Sequence, residues 1–298
     1  MIKSNAFAAA ALLASILAIG AAACDDDSLA PGGGTTDTLT FGGAVRVFDV
    51  YVSRKVTHDT PAPLLFALHQ TSPPSDGAKM RELSGFDAVA DSFGIIVVYP
   101  DALVDWAEGC DCSTADVEGT DDVGFLLALI DHVEREWSVN RGRVYAVGFS
   151  QGGLFADRVG CDAAEHFAGV AVVAATMSRP LSLECEPSLP VKFALMSGTR
   201  DAVFPFRGSL ERGPFTTISA ESTIRLWRGF DGCSDLPVVR SVPDTVDDGW
   251  SVRVDGYNQC PGAARVALYT IQGAPHAWPK GDMDPALEIA EFFLGEEP

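Results

Sequence analysis

Residues 143–155, Arg-Val-Tyr-Ala-Val-Gly-Phe-Ser-Gln-Gly-Gly-Leu-Phe, constrain this chain more than any other stretch. Val144, Tyr145 and Val147 are β-branched or aromatic and read as a buried parallel strand. The strand runs into Gly148-Phe149-Ser150-Gln151-Gly152, a G-x-S-x-G, and then into helical text from Leu154 to Arg158. Alone, that pentapeptide is a weak signal, because a glycine-rich chain supplies one by chance. Between a strand and a helix it is a nucleophile elbow. The turn is so sharp that a Cβ at 148 or 152 would meet neighbouring backbone, and the serine is forced into strained φ/ψ. The Ser150 hydroxyl then stands above the sheet at a helix N-terminus, where the dipole favours developing negative charge.

The text around the elbow alternates strand-like and helix-like segments, which predicts an α/β fold with a mainly parallel sheet flanked by helices. Phe41–Ser53 alternates apolar and polar residues like an antiparallel edge strand, and Pro63–Leu68 is a short apolar run ending at His69-Gln70-Thr71. Phe86–Asp91 has helical period, and Gly94–Tyr99 is a buried strand closed by Pro100-Asp101. Residues 101–120 read as a long irregular loop, after which Asp121 and Asp122 cap a helix over Val123–Trp137. Further strands are expected at Ala168–Ala174, Val191–Ser197 and Arg265–Ile271, with helices at Ser219–Phe230 and Pro285–Leu294. No internal repeat, second domain or large lid domain is evident.

Ahead of this body, Lys3, the apolar run Phe7–Ile19 and Ala21-Ala22-Ala23 before Cys24 resemble a bacterial lipoprotein signal, too short to span a membrane. The expected organisation is a leader over residues 1–24 with lipid on Cys24, a flexible polar tether over 25–40, and one catalytic domain over 41–298. An exported, lipid-anchored or secreted protein follows, touching a membrane only through its anchor. The balance of 21 basic against 41 acidic residues, a net charge of −20, argues against nucleic acid and other polyanions as partners. Setting Cys24 aside leaves six cysteines, an even set suited to an oxidising compartment. Six cysteines allow fifteen pairings, and sequence alone does not choose among them. Nearness favours Cys233–Cys260 and Cys161–Cys185, leaving Cys110 with Cys112. No histidine lies near the Cys-x-Cys pair, so no metal site is expected there.

A serine hydroxyl needs a base to take its proton and an acid to orient that base. In an elbow fold these follow the serine in the order acid, then histidine, each in a loop after a later strand. Gly198-Thr199-Arg200-Asp201 follows the Val191–Ser197 strand, and Gly273-Ala274-Pro275-His276 follows Arg265–Ile271. Asp201 and His276 are therefore the candidate acid and base, at the carboxyl ends of strands where open α/β sheets bind ligands. An oxyanion hole needs two backbone N–H groups. One is expected from Gln151 and the other from Thr71 or Gln70, with His69 supporting that loop. His58, His132 and His166 fall at loop or surface positions.

These segments appear in order with Leu68-His69-Gln70-Thr71, Val97-Val98-Tyr99-Pro100-Asp101, Asp121-Asp122-Val123-Gly124-Phe125-Leu126 and Pro275-His276-Ala277-Trp278-Pro279. Together they resemble the polyhydroxybutyrate depolymerase and feruloyl esterase family of exported α/β-hydrolases, a carbohydrate-esterase type, from about Phe41 to the C-terminus. The resemblance implies an α/β-hydrolase fold, a Ser150–His276–Asp201 triad, and Cys233 bonded to Cys260. It implies no cofactor, metal or nucleotide. One departure is Gln70, where such sequences usually carry glycine; a side chain there is expected to disturb the oxyanion loop. Trp106, Phe149, Phe204, Phe206 and Trp278 fall in or beside the site loops and are candidates for stacking on a phenolic acid or sugar, Trp278, Phe149 and Trp106 first among them. Feruloyl or acetyl esters of plant cell-wall polysaccharide are the favoured substrates and short polyhydroxyalkanoates the alternative. The rival of another class is a catalytically silent, polysaccharide-binding surface lipoprotein.

Overall fold

Short apolar runs that are buried on both faces build the centre of a mixed sheet. The computed structural model describes Met1 and residues 31–71, 76–209 and 216–295. The leader, Cys24 and the first part of the expected tether lie outside the described residues. The strands are β1 (Gly33–Phe41), β2 (Ala44–Val52), β3 (Ala62–Leu68), β4 (Ile96–Pro100), β5 (Val139–Phe149), β6 (Gly169–Val173), β7 (Lys192–Gly198), β8 (Val238–Ser241), β9 (Ser251–Tyr257) and β10 (Arg265–Gln272). The helices are α1 (Gly77–Ser84), α2 (Phe86–Phe93), α3 (Thr114–Glu118), α4 (Asp122–Val133), α5 (Gln151–Asp162), α6 (Arg179–Glu184), α7 (Ala220–Phe230) and α8 (Pro285–Leu294).

Among the described residues the strands form one ten-stranded sheet, in the order β1-β2-β4-β3-β5-β6-β7-β10-β9-β8. The central strands β4, β3, β5, β6, β7 and β10 run parallel, and antiparallel pairs close both sides. Successive residues of β3 serve opposite layers. Leu64, Phe66 and Leu68 pack with Phe125, Leu129, Phe155 and Trp227. Leu65 and Ala67 pack with Met80, Phe86, Ile289 and Phe293. Helices α4, α5 and α7 thus cover one face of the sheet, and α1, α2 and α8 the other.

The N-terminal edge differs from the expected tether. Gly33–Phe41 is not a linker but strand β1, paired with β2 from Gly33 opposite Val52 to Phe41 opposite Ala44. Gly42 and Gly43, at φ of 59° and 83°, make the two-residue turn that requires positive φ at both positions. The glycines and threonines that read as linker composition belong to a half-exposed edge strand, where little apolar surface is needed.

The acidic stretch 101–120 also departs from expectation. It contains α3, and its aspartates are acceptors for backbone N–H groups. Asp105 receives Thr114 and Ala115, and Asp116 receives Gly109 and Cys110. Asp121 caps α4 by accepting the Gly124 N–H at 2.8 Å, as predicted. Asp122 does something else: buried, it pairs with buried Arg46 of β2 at 2.8 Å and accepts the Ala107 N–H at 2.9 Å. The cysteines join as Cys110–Cys112, Cys161–Cys185 and Cys233–Cys260. No helix of the described residues is long and apolar enough to cross a membrane.

Candidate active site

Strand β5 ends at Phe149, and Ser150 opens α5 with φ 58° and ψ −119°. A non-glycine residue in that region carries about 1–3 kcal/mol of strain. The surroundings hold it there: the Ser150 N–H donates to Val173 O of β6 at 2.9 Å, and its carbonyl accepts from Gly153 and Leu154 in the first turn of α5. A Cβ on Gly148 would run into the Gly152 carbonyl, and one on Gly152 into the carbonyl oxygens of Leu68 and His69. The elbow therefore packs directly against the end of β3, which brings the loop after β3 beside the serine.

The loops after β7 and β10 are laced together at the same edge of the sheet. Thr199 N–H donates to Ile271 O, Arg200 N–H to Ala274 O, and Gly273 N–H to Thr199 Oγ1. Gly198 has no room for a side chain, since a Cβ would sit 3.0 Å from Pro275 O and closer still to Ala274 O. This lacing brings His276 Nε2 to 3.0 Å from Ser150 Oγ and His276 Nδ1 to 2.8 Å from Asp201 Oδ2. The other carboxylate oxygen of Asp201 accepts the N–H groups of Val203 and Phe204, each at 2.8 Å. With an acceptor-only carboxylate at Nδ1, the proton of a neutral imidazole lies on Nδ1 and leaves Nε2 free to accept from the serine hydroxyl. Phe149 stacks on the imidazole at 5.6 Å between centroids, and Phe204 lies against it at 5.7 Å.

Gln151 is the first residue of α5, where no intrahelical carbonyl is available to its N–H. Neither that N–H nor those of Gln70 and Thr71 meet an acceptor among the described residues. The two sides are linked by side chains: Thr71 Oγ1 donates to Gln151 Oε1 at 2.5 Å. His69 is buried beneath them. Burial pushes its imidazole below the usual histidine range, so it is neutral, with Nδ1–H donating to Gln70 O at 2.8 Å and Nε2 accepting the Ala102 N–H at 3.0 Å. Gln70 is not among the residues with positive φ, so the loop takes a shape open to any side chain. A glycine is therefore not required by the backbone at this position.

The aromatic residues are distributed differently from expectation. Trp106 is fully buried, stacked on Phe155 at 4.9 Å, and its indole N–H donates to His69 O at 2.9 Å. It supports the loop after β3 from below and is not available to a substrate. Phe149 and Trp278 are also buried, at 6% and 9% exposure, and pack edge to face on each other. Phe206, half-buried, lines a groove of about 870 Å³ together with Arg200, Asp201, Arg207, Arg253 and Tyr257.

One residue absent from the sequence reading sits in this assembly. Glu108 is fully buried, and its carboxyl accepts Gln151 Nε2–H at 3.1 and 3.3 Å. Burial pushes it up to about 8, against which the Gln151 hydrogen bond works only in part. Cys110 and Cys112 lie within 4.8 Å of it, but their sulfurs are bonded to each other and are not thiolate ligands.

Glu108 shares its displaced titration with two acids elsewhere in the core. Asp157 of α5 accepts the Trp227 indole N–H and is pushed by burial to about 8; Asp231, accepting the Val191 N–H, is pushed to about 7. A folded-state value raised above the unfolded one means that the folded protein holds a proton the unfolded chain has lost. Stability is then full below about pH 4 and falls as pH rises towards 7–8, by roughly 1 kcal/mol per pH unit for each group. Thermal unfolding from pH 5 to pH 8 is expected to lower the melting temperature by more than about 5 °C. Asp157→Asn is expected to flatten that slope; an unchanged slope would mean the carboxyl is ionised when folded.

The sheet, the elbow and the two later loops define an α/β-hydrolase. No protein-family model matches the chain. Feruloyl esterase B of Piromyces equi is 28% identical over 240 residues, 76% of this chain and 42% of that protein. Poly(3-hydroxyalkanoate) depolymerase C of Paucimonas lemoignei is 24% identical over 241 residues, 73% of this chain and 55% of that protein. The chain thus spans about half the length of these curated relatives. The solved acetyl xylan esterase from Aspergillus awamori shares the fold, with a TM-score of 0.57 at 13% identity over 87% of this chain and 98% of that one. By sequence the chain is similar to a feruloyl esterase and a poly(3-hydroxyalkanoate) depolymerase, and by fold to an acetyl xylan esterase.

Proposed function

We propose that the chain is an exported serine esterase that cleaves feruloyl or acetyl esters of plant cell-wall polysaccharide through an acyl-enzyme. The observation that carries this reading is the relay from Ser150 Oγ through His276 to Asp201, at 3.0 and 2.8 Å, built on a strained serine. His276 Nε2 takes the hydroxyl proton as Ser150 attacks the ester carbonyl, and the imidazolium is stabilised by Asp201. Negative charge develops on the carbonyl oxygen, where the N–H of Gln151 and that of Gln70 or Thr71 donate. His276 then protonates the departing alcohol, and the same base activates water to release the acid.

The polysaccharide reading is favoured by the similarity to a feruloyl esterase. Cleavage of short polyhydroxyalkanoates is the second reading, on the relationship to a depolymerase. A silent binding protein would have no need of a strained serine aligned with a histidine and a buried carboxylate. Rates on methyl ferulate, acetylated xylan and hydroxybutyrate oligomers test the choice; preference for the oligomers by kcat/KM would overturn it. We further propose that Cys24 carries the lipid. Expressed with its own leader in a bacterium, the protein should partition into detergent and Cys24→Ser should not; release of the unmutated protein into the medium would favour plain secretion.

A further inference from the structure

We propose that Glu108 is a positioning residue of the oxyanion hole, holding the Gln151 side chain so that the Gln151 N–H points at the reacting carbonyl. The inference rests on the reading of Ser150 as nucleophile. Residues 106 and 108 reach the two sides of the hole from one short segment: Trp106 binds the His69 carbonyl at 2.9 Å, and Glu108 binds Gln151 Nε2 at 3.1 Å. Between them, Ala107 is fastened at both backbone atoms, its N–H to Asp122 at 2.9 Å and its carbonyl to Arg158 at 2.6 Å. Thr71 completes the ring by donating to Gln151 Oε1. The Gln151 amide is thus held at both ends, and rotation of the first residue of α5 would break both bonds.

Glu108 is suited to this work as a neutral acid. No lysine or arginine contacts it among the described residues; Arg158, which binds the adjoining Ala107 carbonyl, is otherwise engaged with Asp116 and Asp162. Its Oε2 faces Gln151 Nε2, while Oε1 lies 3.4 Å from the disulfide sulfur of Cys110, which can accept the carboxyl proton. An uncharged carboxyl stabilises a donor without setting a full negative charge beside a developing oxyanion, which a carboxylate would oppose.

The test is steady-state hydrolysis of p-nitrophenyl acetate by folded variants, with Ser150→Ala as the reference for the nucleophile. Removing an oxyanion donor outright costs about 10²–10³ in kcat, so misaiming one through Glu108→Ala is expected to cost about 10- to 100-fold, with KM within about twofold. Glu108→Gln keeps a carbonyl acceptor for Gln151 Nε2 and is expected to retain kcat within about threefold. Gln151→Met keeps the backbone N–H but lacks both side-chain partners, and should match Glu108→Ala. The double variant should be no worse than either single one, as for residues acting as a unit. If Glu108→Ala does not fold, full activity in Gln151→Met overturns the proposal by itself. A folded Glu108→Ala with kcat within twofold of wild type, or equal losses in Glu108→Ala and Glu108→Gln, also overturns it. Activity surviving in Ser150→Ala would instead refute the nucleophile, a separate failure.

Discussion

Ser150→Ala is expected to lower kcat on an activated acetate ester by on the order of 10⁶-fold, leaving only what substrate binding and the oxyanion donors supply. KM should move little, because Ser150 is 8% exposed and contributes little contact surface. The variant should also refuse a fluorophosphonate label that the parent accepts at Ser150. Alanine keeps the positive φ of 58° at the elbow and relieves none of its strain, so thermal stability should be nearly unchanged. A p-nitrophenol burst from the alanine variant, or a label on a different serine, would remove Ser150 from the mechanism.

Asp201→Asn is expected to cost about 10⁴ in kcat at neutral pH, a larger effect than loss of one charge would suggest. The reason lies in the two N–H groups of Val203 and Phe204 that aim at Oδ1. In asparagine they retain the carbonyl oxygen, so the amide NH₂ must face His276. That donor meets Nδ1 and forces the ring proton onto Nε2, which then donates towards Ser150 Oγ instead of accepting from it. The geometry is preserved and the base is lost. A loss below about tenfold would mean that Asp201 does not set the tautomer.

The triad elements were legible because each combines a strand with a glycine at its carboxyl end, and burial leaves few other residue types at those positions. Gly148, Gly198 and Gly273 mark places where backbone approaches backbone or φ is positive, and composition and spacing alone expose them. The supports beneath the oxyanion loop were not legible. Trp106 lies in a loop, and its indole turns inward to His69, an outcome decided by the close stacking on Phe155. Glu108 sits in the acid-rich stretch that reads as a long irregular loop, yet it alone of that run is wholly enclosed beside Gln151.

Elsewhere the misses share a cause. Strand β1 is half-exposed and polar, β8 is fully exposed, and α6 begins with a proline in its first turn. Each is held by its neighbours more than by its own pattern, so periodicity carries little signal there. The Gly42-Gly43 pair was the one local clue to the first hairpin, and the Gly-rich stretch ahead of it hid that clue.

The register of β1 has a consequence for orientation. Gly33 lies opposite Val52, which lies opposite Ile96, the first residue of a central parallel strand. The chain therefore enters the domain at the end of the sheet where the parallel strands begin, while Ser150, Asp201 and His276 stand where they finish. The residues ahead of β1 and the triad therefore lie at opposite ends of the parallel strands, so an attachment made through the N-terminal side leaves the Ser150 edge unobstructed.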